Sequence, residues 1–261
     1  MVSIVTAIII AFSMIMNLQE HDNLTGEEET KKLSGIITEI EEAIGQLDKA
    51  RLVQLYHRIV PLAESTDPVI EKYAHYYTGY IHYRLGTMFS EMKQSQKEEY
   101  LDKAISRMEK CTELDPEFAE AYSLKGSSYG AKISGMVSGM RYGRRSENYI
   151  EKGLELAPGN PRVVMMNGIN TLYKPSVVGG GAEKAVAEFK KAGDFFDLWS
   201  PDHELHPDWG QNQVYIWLGI AYEELGRPDD AMKAYHKSLE INPGNAWVNR
   251  FILPKLKSEM P

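Results

Sequence analysis

From residue 33 onward apolar residues recur at spacings of three and four, and no run of β-branched residues alternates with period two. That pattern predicts helices almost throughout. Asp-Pro, Pro-Gly-Asn-Pro and Gly-Arg-Pro steps separate segments of roughly 12–18 residues, each a helix-length unit. Residues 33–47 and 48–65 form a first helical hairpin on this reading, preceded by a flexible leader at 19–32. The opening stretch, MVSIVTAIIIAFSMIMNL, differs from all that follows: residues 1–18 carry no charged side chain. It is apolar on every side, as a membrane or a translocon requires. A signal peptide or an N-terminal anchor is expected there, and with it an exported chain, periplasmic or otherwise extracytoplasmic. No cysteine lies near residue 20, so a lipid-linked N-terminus is excluded.

A string of helices with regular punctuation calls for a repeat search. The clearest unit is the last, in which Tyr215-Ile216-Trp217-Leu218-Gly219-Ile220-Ala221-Tyr222 is followed by Ala231, Tyr235, Ser238 and Pro243. This unit resembles the tetratricopeptide repeat, a pair of helices A and B with small residues at their contact. With it as template, the small residue of helix A falls at Gly79, Gly126, Gly168 and Gly219. Helix B then carries Ala104, Met108 and Cys111; Ser146, Ile150 and Gly153; and Ala185, Phe189 and Ala192. Closing prolines stand at Pro116, Pro158 and Pro243. The resemblance implies an all-α right-handed superhelix of four irregular repeats, at about 68–116, 117–158, 160–197 and 211–243. The hairpin at 33–65 caps the front, and 245–259 forms a C-terminal cap in which Trp247, Phe251 and Leu256 need cover. Glycine-to-glycine steps of 47, 42 and 51 residues exceed the roughly 34 of the family. The excess is expected between paired helices, around 87–96, 134–143 and 174–181, and in a loop at 198–210. The loops Pro175-x3-Gly-Gly-Gly and Pro207-x-Trp-Gly are similar to those of a group of exported bacterial tetratricopeptide-repeat proteins. That likeness implies fold and export, and no activity.

Composition narrows the function. The 261 residues are 43% hydrophobic and 25% charged, enough apolar mass for a large core. Lysine and arginine number 29 against 37 acids, a formal charge of −8 without a basic block, which argues against nucleic acid as a partner. A single cysteine, Cys111, allows neither an internal disulfide nor a multi-cysteine zinc site.

The resemblance also places residues on the concave face of the superhelix, where this family holds ligands. They are Tyr73, Tyr76, Tyr80, Tyr83 and Arg84 of the first repeat, and Ser123 and Ser127 of the second. Arg162, Met165, Ile169 and Tyr173 follow from the third, and Gln213 from the fourth. Tyrosine offers broad contact at low entropic cost, so four of them with an arginine suit a binding face. They equally suit packing under the front hairpin. The lysine and asparagine clamp of chaperone-tail-binding repeats is absent, since its positions hold Tyr76, Tyr80, Ser123, Ser127, Met165, Ile169, Ile216 and Ile220.

Other motifs carry less. Gly179-Gly180-Gly181 precedes a helix and is a candidate anion loop, although it departs from the P-loop pattern and a tight turn explains it equally. The letters G-x-S-x-G at Gly126–Gly130 sit inside a helix, where no strained nucleophile forms. Asp202-His203-Glu204-Leu205-His206-Pro207-Asp208 gathers metal-binding side chains without a metal-site spacing, and reads as a solvated loop anchored by Trp209. His75 and His82 read as core histidines. The expectation is a non-catalytic binding or adaptor protein that needs no cofactor and no metal. It would hold a protein or peptide on its concave face outside the cytoplasm, with membrane contact only through the N-terminal segment. The alternative is an extracytoplasmic component that binds a small molecule in a groove narrowed by the insertions, associated with a transport system.

Overall fold

The computed structural model describes residues 26–259, and the apolar segment 1–18 lies outside them. Helix α1 (Gly26–Gln46) buries Leu33, Ile36, Ile40, Ala43 and Ile44, a stripe spaced by three and four. Its first seven residues fall in the stretch that the sequence assigns to a flexible leader. They are helical instead: three glutamates in the first turn complement the helix dipole, and Glu29 accepts from the hydroxyl of Ser65 at 2.6 Å. Leu47, at φ 58°, turns the chain. Asp48 then caps α2 (Lys49–Ile59), accepting from the amide of Arg51 at 2.9 Å. Arg51 and Arg58 both bind Glu39 and lock the hairpin α1–α2 together.

Four further helix pairs follow: α3 (Pro68–Met88) with α4 (Gln94–Leu114), α5 (Ala119–Ala131) with α6 (Met136–Leu156), α7 (Pro161–Tyr173) with α8 (Ala182–Leu198), and α9 (Gln211–Glu224) with α10 (Pro228–Ile241). A π-helical turn, Val248–Ile252, leads into α11 (Leu253–Glu259). No strand occurs among the described residues. The molecule is an all-α superhelix in which each pair packs on the next.

Within each pair one glycine of helix A lies against one large residue of helix B. A Cβ at Gly79 would strike Met108, and at Gly219 Tyr235; at Gly168 it would come within 2.6 Å of Phe189, and at Gly126 within 2.7 Å of Ile150. The absent side chain is what lets the helices approach. One inserted segment differs from expectation, for residues 136–143 are not a loop but the first two turns of α6.

Helix α3 holds the centre. Fourteen of its residues between Ile70 and Gly86 are buried, with polar and apolar positions alike. That follows from having neighbours on every side: α4, α5, and the capping hairpin. The superhelix also closes on itself. Gln46 at the end of α1 donates to the carbonyl of Gly244 beyond α10 at 3.2 Å, and Arg84 of α3 donates to Gln213 of α9 at 2.9 Å.

Candidate functional site

The concave face, where the sequence resemblance implies ligand contacts, is filled here. Tyr73, Tyr76, Tyr80 and Tyr83 are all buried, as are Ser123, Ser127, Arg162, Met165 and Gln213. Ile169 is half-buried, and Tyr173 alone of the expected binding residues is well exposed. The reading of these side chains as an open ligand-facing groove is therefore corrected. The molecule's own chain covers them.

The covering segment is the loop 199–210, which the sequence reads as solvated but anchored by Trp209. Trp209 is buried on α3, and Leu205 is buried with it. Trp209 stacks on Tyr80 with ring centroids 4.5 Å apart, and its indole N–H donates to the Tyr76 hydroxyl at 3.2 Å. The Tyr77 hydroxyl donates to the carbonyls of Leu205 at 3.2 Å and His206 at 3.3 Å. Gln213 links the two ends, donating to Tyr80 at 3.3 Å while accepting from Arg84. Arg162, fully buried, donates to the carbonyl of Trp209 at 3.0 Å and lies over the Trp199 ring at 4.4 Å. Glu120 faces the same guanidinium at 3.8 Å and accepts from Asn160 at 2.6 Å. A buried arginine needs such company, because an unpaired charge away from water is costly.

One opening remains beside this plug. Between α1 and the loop lies a pocket of about 650 Å³, lined among others by Ser34, Glu41, Tyr77, Glu204, Asp208 and Trp209. Its volume falls in the range of small-ligand sites. Glu41 is part of this lining; its Oε1 is sealed from solvent without a hydrogen-bond partner, and the Tyr80 hydroxyl and the Arg84 guanidinium both favour its charged form. Burial raises the Glu41 pKa to about 7, against the pull of the Arg84 guanidinium. Nothing in the sequence singled out Glu41, one acid among several on a helix whose apolar stripe runs beside it. A second cavity, about 540 Å³ under the C-terminal helix, is lined by Glu223, Tyr235, Trp247 and Phe251. Its Glu223 is already engaged by Tyr235 and Lys255. Trp247 and Phe251 stay partly open to solvent there, while Leu256 is covered.

The glycine loop holds no anion cradle. The amides of Gly179, Gly180 and Gly181 donate to the carbonyls of Ser176, Pro175 and Thr171 at 3.0, 3.2 and 2.8 Å. Gly179 and Gly181 have φ of 94° and 120°, and a Cβ on Gly180 would collide with the Lys174 carbonyl. The three residues make a tight turn. Ser128 of the G-x-S-x-G letters is buried and donates to the carbonyl of Leu124 at 2.8 Å within α5. No group of three or more metal-binding side chains assembles among the described residues. His75 and His82 are buried in the core; burial and nearby cations push the His82 pKa down to about 4.

The tetratricopeptide-repeat model matches residues 213–245, the α9–α10 pair. No curated protein matches the chain. Among solved structures it is similar to the HusA haemophore from Porphyromonas gingivalis, at 22% identity and a TM-score of 0.63, covering 77% of this chain and 96% of that one. It is also similar to a thermophilic TPR protein from Thermus thermophilus, at 18% identity and a TM-score of 0.59, covering 88% and 97%. The matched repeat, the glycine-keyed helix pairs and these likenesses agree: residues 213–245 form a tetratricopeptide repeat, and the chain has the all-α fold of a tetratricopeptide superhelix.

Proposed function

We propose that this protein is a non-catalytic, extracytoplasmic holder of a small polar ligand, bound in the pocket between α1 and the 199–210 loop. A tetratricopeptide superhelix is an interaction scaffold, and the question is what it holds. The observation that carries the reading is the closed concave face. A peptide cannot lie along Tyr76 and Tyr80 while Trp209 stacks there. What stays accessible is a concave site of ligand size with an unspent buried acceptor, Glu41 Oε1, flanked by Asp208, Glu204 and the aromatic Tyr77 and Trp209. Four acids in that lining, Glu41, Glu42, Glu204 and Asp208, suit a ligand with a cationic nitrogen, and hydroxyl and amide side chains such as Ser34, Thr38 and Gln46 suit its polar groups. The similar chain from Porphyromonas gingivalis is described as a haemophore, so the architecture is compatible with holding a small ligand. The placement outside the cytoplasm rests on the uncharged apolar run at 1–18.

A protein-adaptor role is the second reading, and it rests on the repeat family itself. Native mass spectrometry of protein purified from its own host separates the two. A small molecule retained by the wild type and lost from Glu41→Gln and Asp208→Asn supports the pocket. A copurifying protein that both variants keep, with no small molecule, overturns it. For location, a reporter joined to the C-terminus should be active only outside the cytoplasm. Activity confined to the inside would remove that part of the proposal.

A further inference from the structure

The superhelix has one edge that its own chain leaves uncovered. Helix α6 begins two turns before it needs to, and along those turns Met136, Val137 and Met140 are 81%, 75% and 73% exposed. Three large apolar side chains on one helix tip have no packing role in the repeat. Behind them stand Arg141, Arg144 and Arg145, none of them buried. Arg141 and Arg145 lie over tyrosine rings, and none of the three arginines has a carboxylate partner among the described residues. At about 100° per residue, Met136, Met140, Arg144, Val137 and Arg141 share an arc of about 140°. Tyr142, Ser146 and Ile150 take the other side, towards α5 and α7.

The charge around this tip runs against that of the molecule. The chain carries −8 overall, yet residues 121–146 contain no aspartate or glutamate; of their five cations Lys125 and Lys132 are buried against Glu109 and Asp102 of α4, which leaves Arg141, Arg144 and Arg145 at the edge, and residues 156–182 contain no acid either. The second stretch includes the neighbouring turn between α7 and α8, which presents Val177 at 92% exposure. Ser146 bonds Asn170 at 3.3 Å and Lys174 pairs with Glu147, so the two turns share an edge. We propose that this edge docks on an anionic lipid surface, with the α6 tip as its wedge. The geometry fits one: Arg141, Arg144 and Arg145 lie roughly 7–14 Å along the axis from Met136, at headgroup depth when the leading end of the tip enters the acyl boundary. A projecting tip, unlike a groove, offers a protein partner little to enclose. The site is separate from the start of α1. A Cβ added at Gly26, where α1 starts, would lie 3.5 Å from the Asp67 carboxylate just before α3, on the opposite edge of the helix pairs.

The test reads the tip itself, so membrane binding by any other segment cannot imitate it. Val137→Cys in the full-length chain is labelled with a polarity-sensitive fluorophore; the native Cys111 is buried and stays unlabelled. Vesicles of phosphatidylcholine with about 30% phosphatidylglycerol should shift the emission to the blue, while phosphatidylcholine alone should not. Neutralising Arg141, Arg144 and Arg145 to glutamine should weaken the effect on the order of a hundredfold, at roughly fivefold per cation. Met136→Ser with Met140→Ser should weaken it with the charges intact, and neither set should move the melt. A label that stays aqueous while the protein sediments with vesicles overturns the proposal. So does an equal shift on neutral vesicles, or a shift that grows with protein concentration without lipid, which would make the occupant a second copy of the chain.

Discussion

Glu41 is the residue whose protonation the fold alters most usefully. Its folded pKa is raised to about 7 from an ordinary value of 4.5. A raised carboxylate pKa means that the folded state binds the proton more tightly, so stability is gained as pH falls through 7 towards 4.5 and is absent above 7. His82 has the opposite sign, because its pKa is lowered from 6.5 to about 4 and stability is lost as pH falls across that interval. Wild-type melting alone mixes the two. The difference between Glu41→Gln and wild type isolates the first: relative to wild type, the variant should gain up to about 3 kcal/mol of unfolding free energy between pH 5 and pH 8, read from denaturant titrations. A pH-independent difference would mean that the carboxyl is solvated. Tyr80 makes the other prediction at this scale. Buried under Trp209 and bonded to Gln213, it should cost about 3–5 kcal/mol on truncation to alanine, read as a sharply lowered melt. A melt within a few degrees of wild type would return Tyr80 to an open face.

At the scale of the helix pair, the same glycine position has different consequences in different repeats. The Cβ of an alanine at Gly79 would meet the far end of a flexible methionine side chain, Met108. At Gly126 it would meet backbone, the Ser146 carbonyl at 2.8 Å and the Ile150 amide at 3.0 Å. A side chain can swing aside, whereas backbone moves only if the whole helix does. Gly126→Ala should therefore destabilise by about 1–3 kcal/mol, while at Gly79 the helix-propensity gain of about 1 kcal/mol offsets much of the clash. Denaturant midpoints of the two variants check this, and equal losses would contradict it. The glycines were visible in the sequence because their spacing follows a repeat. The difference between them was not, since it depends on which atoms of helix B stand opposite.

For the whole molecule, closure matters more than repeat number. An open solenoid is held by nearest-neighbour contacts and frays from its ends. Here α3 is tied to the segment entering α9, and α1 to the turn after α10. The amides of α3 and α9 should therefore exchange with similar protection, near that of global opening. Trp209→Ala should release the tie, so that hydrogen-exchange mass spectrometry finds α9 and α10 opening well before α3. Unchanged, uniform protection in that variant would show that the plug is not what joins the ends.

The sequence by itself determined the all-α class and the repeat, because both are written in local periodicity. Apolar spacings of three and four define each helix, and a glycine opposite a large residue defines each pair. The resemblance to the tetratricopeptide repeat implied that the tyrosines of the first repeat take the inner face. What lies across that face was decided only by the tertiary structure. Trp209 meets Tyr80 across a separation of 129 residues, and no local pattern encodes a contact between segments so far apart. The unpartnered Glu41 Oε1 has the same origin, because an acid on α1 becomes a buried acceptor only once the loop 199–210 has folded over it. Local physics chose the helices, and the closing of the superhelix turned its tyrosine face from a groove into a core.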